Sequence, residues 1–248
     1  MSTVSLTLRQ VRFENLSFWR NPASAFFTFA FPLMFLVIFT TLFGDDTNFY
    51  VPAIAAFSVI TAGFTNLAMS VSFARDQGVL KRKRGTPLPP IAYLGGRVVH
   101  ATLMAILLVV IVTLFGAAFY SVDISFETLP ALLVTLLVGA ATFSSLGLAM
   151  TAAVPNADAA PPVVNFTILP LLFISDIFIP SDNAPDWLPR VADLFPVRHL
   201  SVAMQAAFNP DAFGTPNGFK WTEIGIVALW GVVGIVLAVR FFSWEPRR

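Results

Sequence analysis

Cysteine is absent from the 248-residue sequence. That removes disulfide frameworks, thiolate metal sites and cysteine nucleophiles together. Charge is also scarce: Asp, Glu, Lys and Arg make up 12% of the chain, about half of the roughly 25% found in soluble domains. So little polar surface cannot solvate a globule of this size. It equally excludes disorder, which needs low hydrophobicity and high charge. The net charge of +1 does not supply the concentrated basic face that nucleic-acid binding requires. Histidine is limited to His100 and His199, and no H-E-x-x-H or G-x-x-x-x-G-K-[ST] occurs, so the zinc-peptidase helix and the nucleotide-binding P-loop are both missing from this sequence. Phe143-Ser-Ser-Leu-Gly147 matches a nucleophile elbow only in part, because Phe143 stands where the first glycine belongs. Small residues in a packed membrane helix explain it better.

Apolar sequence is what the chain has in quantity. Hydrophobic residues are 56% of it and its mean hydropathy is +0.77. A helix needs roughly 20 apolar residues to cross a hydrocarbon core about 30 Å thick. Six stretches satisfy that: about 24–43, 51–73, 98–119, 129–153, 161–179 and 222–242. The expected fold is therefore an all-α membrane protein with six transmembrane helices, arranged as a single permease-like domain over 1–248. Pro32 lies inside the first stretch, where a membrane helix tolerates it with a kink. The first span follows a basic segment and has no small-residue cleavage pattern after it, so it is expected to be retained.

Positive charge sets the orientation. With both termini cytoplasmic, all of the 15 Lys and Arg residues except Arg190, Arg198 and Lys220 fall inside. The opposite topology would translocate the Lys81–Arg84 cluster and is rejected. Asp45, Asp46, Asp123 and Glu127 then lie in outer loops. Residues 3–20 read as an amphipathic interfacial helix: Val4, Leu8, Val11, Phe18 and Trp19 share an arc of about 100°, with Leu6, Phe13 and Leu16 off it. The long outer segment 180–221 holds two short apolar runs, around Trp187–Leu194 and His199–Phe208, which suit re-entrant helices between spans five and six.

The densest charge lies between spans two and three, in a cytoplasmic loop over 74–90. Gly78 suits the end of the helix continuing from span two, Gly85 ends the basic turn, and Thr86-Pro87 suits the start of a new helix with proline at its first position. A basic run beside a membrane span is most simply a topogenic signal or a lipid-headgroup contact. Its order of short helix, glycine, short helix also suits a docking element.

The string from Arg75 to Arg97, R-D-Q-G-x-x-K-R-x-R-G-T-P-L-P-P-x-x-Y-L-G-G-R, resembles the loop after the second span of ATP-binding-cassette type 2 exporter permeases, among them the daunorubicin-resistance-like drug and lipid exporters. Phe18-Trp-Arg-Asn-Pro22 with Phe31-Pro-Leu33, Pro170-Leu-Leu-Phe-Ile-Ser175 with Ile179-Pro180, and Trp187-Leu-Pro189 with Phe195-Pro-Val-Arg198 are similar to the family's elbow helix, fifth span and outer hairpin. The likeness covers nearly the whole chain and rests on the order and spacing of these stretches. It implies a permease subunit of the prokaryotic cell membrane that exports a drug, a lipid or a glycan-linked lipid. It implies a second permease copy, and two copies of a separate ATPase that binds ATP and Mg; no cofactor is expected in this chain. Arg75, Asp76, Gln77, Lys81, Arg82, Arg84, Thr86 and Pro87 would contact that ATPase. The chain departs from the family at Gln77, where an acidic residue is common, and at Asp176, where a small one is usual.

Polar residues inside spans mark a candidate substrate pathway. Ser58, Thr61, Thr65 and Ser72 cluster within about 60° on span two, with Asn66 to one side. Hydroxyls in membrane helices most often back-bond or pack against neighbours. On span five, Asn165 and Asp176 are expected on one face, about 20° apart and roughly 16 Å along the helix, with Leu169 and Leu172 between them. Asp176 also lies near enough to the outer end to snorkel. Thr135, Gly139, Thr142, Ser145 and Gly147 of span four read as close helix packing. The alternative functions are an ion-coupled transporter or channel, which would favour several intramembrane charges where Asp176 is nearly alone, and an intramembrane lipid- or peptide-modifying enzyme, for which no paired acids or nucleophile with a base are found.

Overall fold

A computed structural model describes every residue except 1, 44–46, 86–87, 123–124, 181–184, 186 and 245–248, and every other side chain except those of Phe43 and Arg84. Regular structure among the described residues is entirely helical. Helix α1 (Thr3–Trp19) opens where Ser2 Oγ accepts the Ser5 N–H at 3.3 Å, satisfying one donor that the first turn leaves unpaired. Helix α2 (Pro22–Phe43) runs on through Pro32. Helix α3 (Thr47–Ile60), a π turn (Thr61–Thr65) and α4 (Asn66–Asp76) form one continuous rod of 30 residues. Gly78 then takes a left-handed φ of 69°, open to glycine without steric cost, and turns the chain into α5 (Val79–Arg84).

The next helix, α6 (Pro90–Tyr120), starts later than Thr86-Pro87 suggests. Those two residues lie outside the described residues, but the reason for the late start is visible in Leu88-Pro89-Pro90. A residue that precedes proline is pushed out of the helical region, so Pro89 is extended and Pro90 becomes the first helical residue. Helix α7 (Leu129–Met150), α8 (Ala160–Ile174), the short α9 (Trp187–Ala192), α10 (Pro196–Phe208) and α11 (Trp221–Phe241) complete the chain.

Five of the expected spans appear as helices long and apolar enough to cross a membrane. The other, expected over 161–179, differs. Helix α8 has 15 residues, a rise of about 22 Å, and stops before the outer Pro180. Ser175 leaves the helix, and Asp176 takes a left-handed φ of 54°, which aspartate tolerates better than most residues. Irregular backbone inside an apolar bundle needs its polar groups satisfied. Here the Asp176 carbonyl accepts from Ser201 Oγ at 2.6 Å and from Gln205 Nε2 at 3.2 Å, both on α10.

The core is built where small residues let helices close on one another. Helix α7 crosses α11 with Gly231 against Thr142 and Gly234 against Ser145. Thr142 Oγ1 donates to the Val227 carbonyl at 2.9 Å and Ser145 Oγ to that of Gly231 at 3.1 Å. On its other side, Gly147 faces the backbone of Gly63 and Phe64 in the π turn, where a Cβ would lie 2.8 Å from the Gly63 carbonyl oxygen. Gly139 makes room for Leu200 of α10. Helix α10 is buried along almost its whole length among α3, α7, α8 and α11.

A candidate translocation groove and its coupling end

The rod α3–α4, α6 and α8 are antiparallel or parallel neighbours, so the chain ends near Asp76, Pro90 and Ala160 gather at one pole, here the basic end. From that pole upward, α2, the π turn with α4, and α8 stay apart and enclose a cavity of about 480 Å³. Thr61, Thr65, Asn66, Asn165, Leu169 and Leu172, all expected on the pathway, line it. Two expected members do not. Ser58 is fully buried and donates to the Ile54 carbonyl at 2.8 Å, and Asp176 lies beyond the end of α8. The π turn explains the rearrangement on span two. It fits an extra residue into one turn and shifts the phase, so Asn66 joins the lining while Ser58 and Ser72 turn into the core.

Residues that the polarity pattern did not single out complete this groove. Ser24, Thr28, Phe31 and Phe35 of α2 form its facing wall. At the end away from the basic pole, Phe178 caps it, stacked on Phe35 at 5.3 Å and Phe39 at 5.2 Å, with Phe173 edge-on at 5.2 Å. No periodicity marks Phe178, because it lies outside any helix. A second cavity, also of about 480 Å³, adjoins the first at the basic end and shares Ser24, Thr28 and Asn66 with it.

Asp176 belongs to an ion-pair network on α10. Its carboxylate accepts from Arg198 Nε at 2.9 Å, and Arg198 Nη1 also pairs with Asp193. Burial draws the Arg198 pKa down, but hydrogen bonds to Asp176 and Asp193, with their charges, outweigh it and hold the pKa above its ordinary value. His199 bridges Glu223 of α11 through Nδ1 and the Asp193 carbonyl through Nε2, the latter at 2.9 Å. The shared helical face expected for Asn165 and Asp176 is therefore not formed: α8 ends between them, and Asp176 is almost fully buried and paired.

At the basic pole, Asp76, Gln77, Lys81 and Arg82 are exposed. The side chain of Arg84, and Thr86 and Pro87, lie outside the described residues. Arg75 is a correction: it is 1% exposed and cannot present its charge to an outside partner. Its guanidinium donates from Nη1 to the Thr151 carbonyl at 2.8 Å and from Nη2 to that of Val154, tying α4 to the turn that joins α7 to α8.

Helix α1 packs on α6 by a polar stripe. Gln10 is buried against Gly96, hydrogen-bonds Glu14 at 2.6 Å and accepts from Lys83 Nζ at 3.1 Å. Arg97 Nε lies 3.2 Å from Glu14. The Lys83 ammonium sits over the rings of Tyr93 and Phe13, 4.6 and 4.9 Å from their centroids, a favourable cation–π arrangement. Burial lowers the Lys83 pKa, Glu14 opposing and Arg97 adding to the shift. Because Gln10 and Glu14 face the protein, Val4, Leu8, Phe13, Leu16 and Trp19 are left exposed on α1. The scattered apolar positions noted in the sequence thus form the outward surface of an interfacial helix.

An all-helical bundle with an apolar exterior, a partly polar groove and an exposed charged turn at one pole defines the class of polytopic transport permeases. Residues 6–209 match the ABC-2 type transporter family. The chain is 24% identical to the "Daunorubicin resistance ABC transporter permease protein DrrB1" of Streptomyces coeruleorubidus, over 91% of this chain and 80% of that one. It is 23% identical to the "Putative transport permease YvfS" of Bacillus subtilis (strain 168), over 73% of this chain and 76% of that one. The chain belongs to the ABC-2 type transporter family, whose membership makes it the membrane subunit of an ABC exporter and implies an ABC ATPase partner.

Proposed function

We propose that the chain is half of an ATP-driven export path for an amphipathic or hydrophobic molecule, a drug, a lipid or a glycan-linked lipid. The observation that supports this reading most is the groove of Thr61, Thr65, Asn66 and Asn165 facing Phe31, Phe35 and Phe178, hydroxyl and amide groups opposite aromatic rings in an otherwise apolar bundle. Its walls include Phe27, Phe31 and Leu169, which are 65%, 45% and 44% exposed. A second copy related by a twofold axis would close that open side. Two ATPase subunits, binding ATP and Mg, would dock on the turn presenting Asp76, Gln77, Lys81 and Arg82. Both termini would be cytoplasmic, as the distribution of Lys and Arg favours.

Coupling requires that ATP state and substrate bias the same conformational equilibrium. Push on α5 would pass to α4 directly and, through Arg75, to the start of α8, so both polar walls of the groove would move. The test is the double substitution Lys81→Ala, Arg82→Ala. Co-purification of the ATPase in detergent should fall about tenfold, equivalent to ~1.4 kcal/mol, and substrate-stimulated hydrolysis should fall with it. Unchanged co-purification and hydrolysis would overturn the docking assignment.

A further inference from the structure

The second cavity sits where α1, α2, α4 and α6 meet at the basic pole, and the first lies above it. They are joined through Ser24, Thr28 and Asn66. Each has about 480 Å³, within the roughly 300–1,000 Å³ of ligand pockets. Their chemistry changes along the joined groove. The lower part is lined by Ser17, Asn21, Ser70 and His100, the middle by hydroxyls and amides shared with the upper part, and the far end by Phe35, Phe57, Phe173 and Phe178. Polar hydrogen-bonding groups stand at the pole and aromatic rings toward the opposite one, the sense in which an amphiphile lies in one leaflet.

The charge in the lower part is already spent. Glu14 is its acidic side chain, and it is ion-paired with Arg97 at 3.2 Å and hydrogen-bonded by Gln10 at 2.6 Å. A charged headgroup moved into this low-dielectric space would need an uncompensated counter-charge. Hydroxyls, amides and a histidine ring instead both donate and accept. Two buried polar atoms along the groove, His100 Nδ1 below and Thr65 Oγ1 above, have no hydrogen-bond partner in the protein. Each is ready for a neutral donor or acceptor on a ligand.

We infer that the lower cavity is a headgroup subsite for an uncharged, hydroxyl-rich head carried on an apolar body, with the body directed up the groove toward Phe178. The inference rests on reading the upper cavity as the export path, and it narrows the cargo to neutral-headed, sugar-like amphiphiles. A bilayer glycolipid and a soluble glycosylated amphiphile share this chemistry.

The absence of cysteine makes the test clean. Ser17→Cys, in the lower cavity, and Gln77→Cys, on the exposed turn, are labelled with a water-soluble maleimide in phosphatidylcholine nanodiscs. The discs are doped in turn with monoglucosyl diacylglycerol, anionic phosphatidylglycerol or a cationic trimethylammonium lipid of the same acyl chains. The glucosyl lipid should slow labelling at position 17 about fivefold, the factor 1 + [L]/Kd at about four times Kd, and leave position 77 unchanged. Dodecyl maltoside added from solution below its micellar concentration forms the second arm. Slowing by the lipid alone assigns the occupant to the bilayer, slowing by the maltoside alone assigns it to the aqueous phase, and slowing by both assigns any sugar-headed amphiphile; all three support the subsite. Asn66→Leu in the Ser17→Cys chain should abolish the protection while leaving unprotected labelling as it was. Equal or greater slowing by either charged lipid, no slowing by any probe, or protection that survives Asn66→Leu would overturn the inference. The labelling needs no ATPase, so a chain that still couples to its ATPase but shows no headgroup protection sinks this inference and leaves the proposed function standing.

Discussion

The bundle has two unlike halves. In one, α7 and α11 meet through Gly231, Gly234, Thr142 and Ser145, and α7 meets the π turn through Gly147 and Gly63. Backbones there approach as closely as side-chain oxygens allow, and α10 fills the remaining space. In the other, α2 and α8 confront α4 with Phe31, Phe35, Leu169 and Asn165, and the large side chains stand off from one another around the groove. Without a hydrophobic drive between helices in lipid, close packing by small residues is what holds membrane helices together. The half rich in glycine is thus the frame, and the half rich in phenylalanine is the part that can change its spacing. Two charged joints connect them: Arg75 links α4 to the end of α7 at the basic pole, and Asp176 links the end of α8 to Arg198 on α10 at the other.

The largest effect is expected from cutting the first joint. Arg75→Ala would leave the Thr151 and Val154 carbonyls without their donor, and hydrogen bonds to a charged group are worth roughly 1.5–3 kcal/mol each. Thermal unfolding in detergent should show a loss of about 3 kcal/mol or more, most of it retained in Arg75→Lys, whose single ammonium cannot span both carbonyls. In whatever folded fraction remains, ATP hydrolysis should continue while transport falls, because the start of α8 no longer follows α4. Wild-type stability in Arg75→Ala would show that the two halves do not depend on this joint.

A pair of equal enlargements sharpens the contrast between the halves. Leucine at Gly147 would drive its Cβ within 2.8–3.0 Å of the Gly63 and Phe64 backbone, which cannot yield as a side chain would. Overpacking of this kind costs about 1–3 kcal/mol. Leucine at Thr28 faces the groove and should change stability by less than about 0.5 kcal/mol while reducing transport. Unfolding midpoints and proteoliposome transport measured on both variants decide it; equal loss of stability in the two would erase the distinction between frame and groove.

The helices were legible in the sequence because lipid demands long apolar runs, and Arg75 to Arg97 was legible as a docking loop because its glycines and charges follow one another in order. The small residues of α7 announced close packing, and Gly147 and Ser145 deliver it. What escaped was anything set by three-dimensional phase. A single π turn moved Ser58 out of the groove and Asn66 into it. Arg75 looked like one more surface cation because nothing local reveals that two carbonyls some 76 and 79 residues away would enclose it. The fifth span seemed to continue past Asp176 since Ile177 and Phe178 are apolar; only the partners on α10, Ser201 and Gln205, show why the helix can stop early inside the bundle.

The second joint should matter least for stability and most for choosing between mechanisms. In Asp176→Asn the left-handed backbone remains accessible, as asparagine tolerates it. The backbone carbonyl keeps its bonds from Ser201 and Gln205, and Arg198 keeps Asp193. Only one charge-assisted contact on a partly exposed arginine is lost, about 1 kcal/mol at most for such a pair. A permease driven by its ATPase has no use for a titrating carboxylate here, so ATP-dependent transport in proteoliposomes should survive the change. An ion-coupled carrier would instead need the proton or cation that Asp176 alone could hold. Transport that responds to an imposed proton gradient and disappears in Asp176→Asn, with the fold intact, would move the energy source from the basic pole to this buried carboxylate and overturn the division of labour between the two ends.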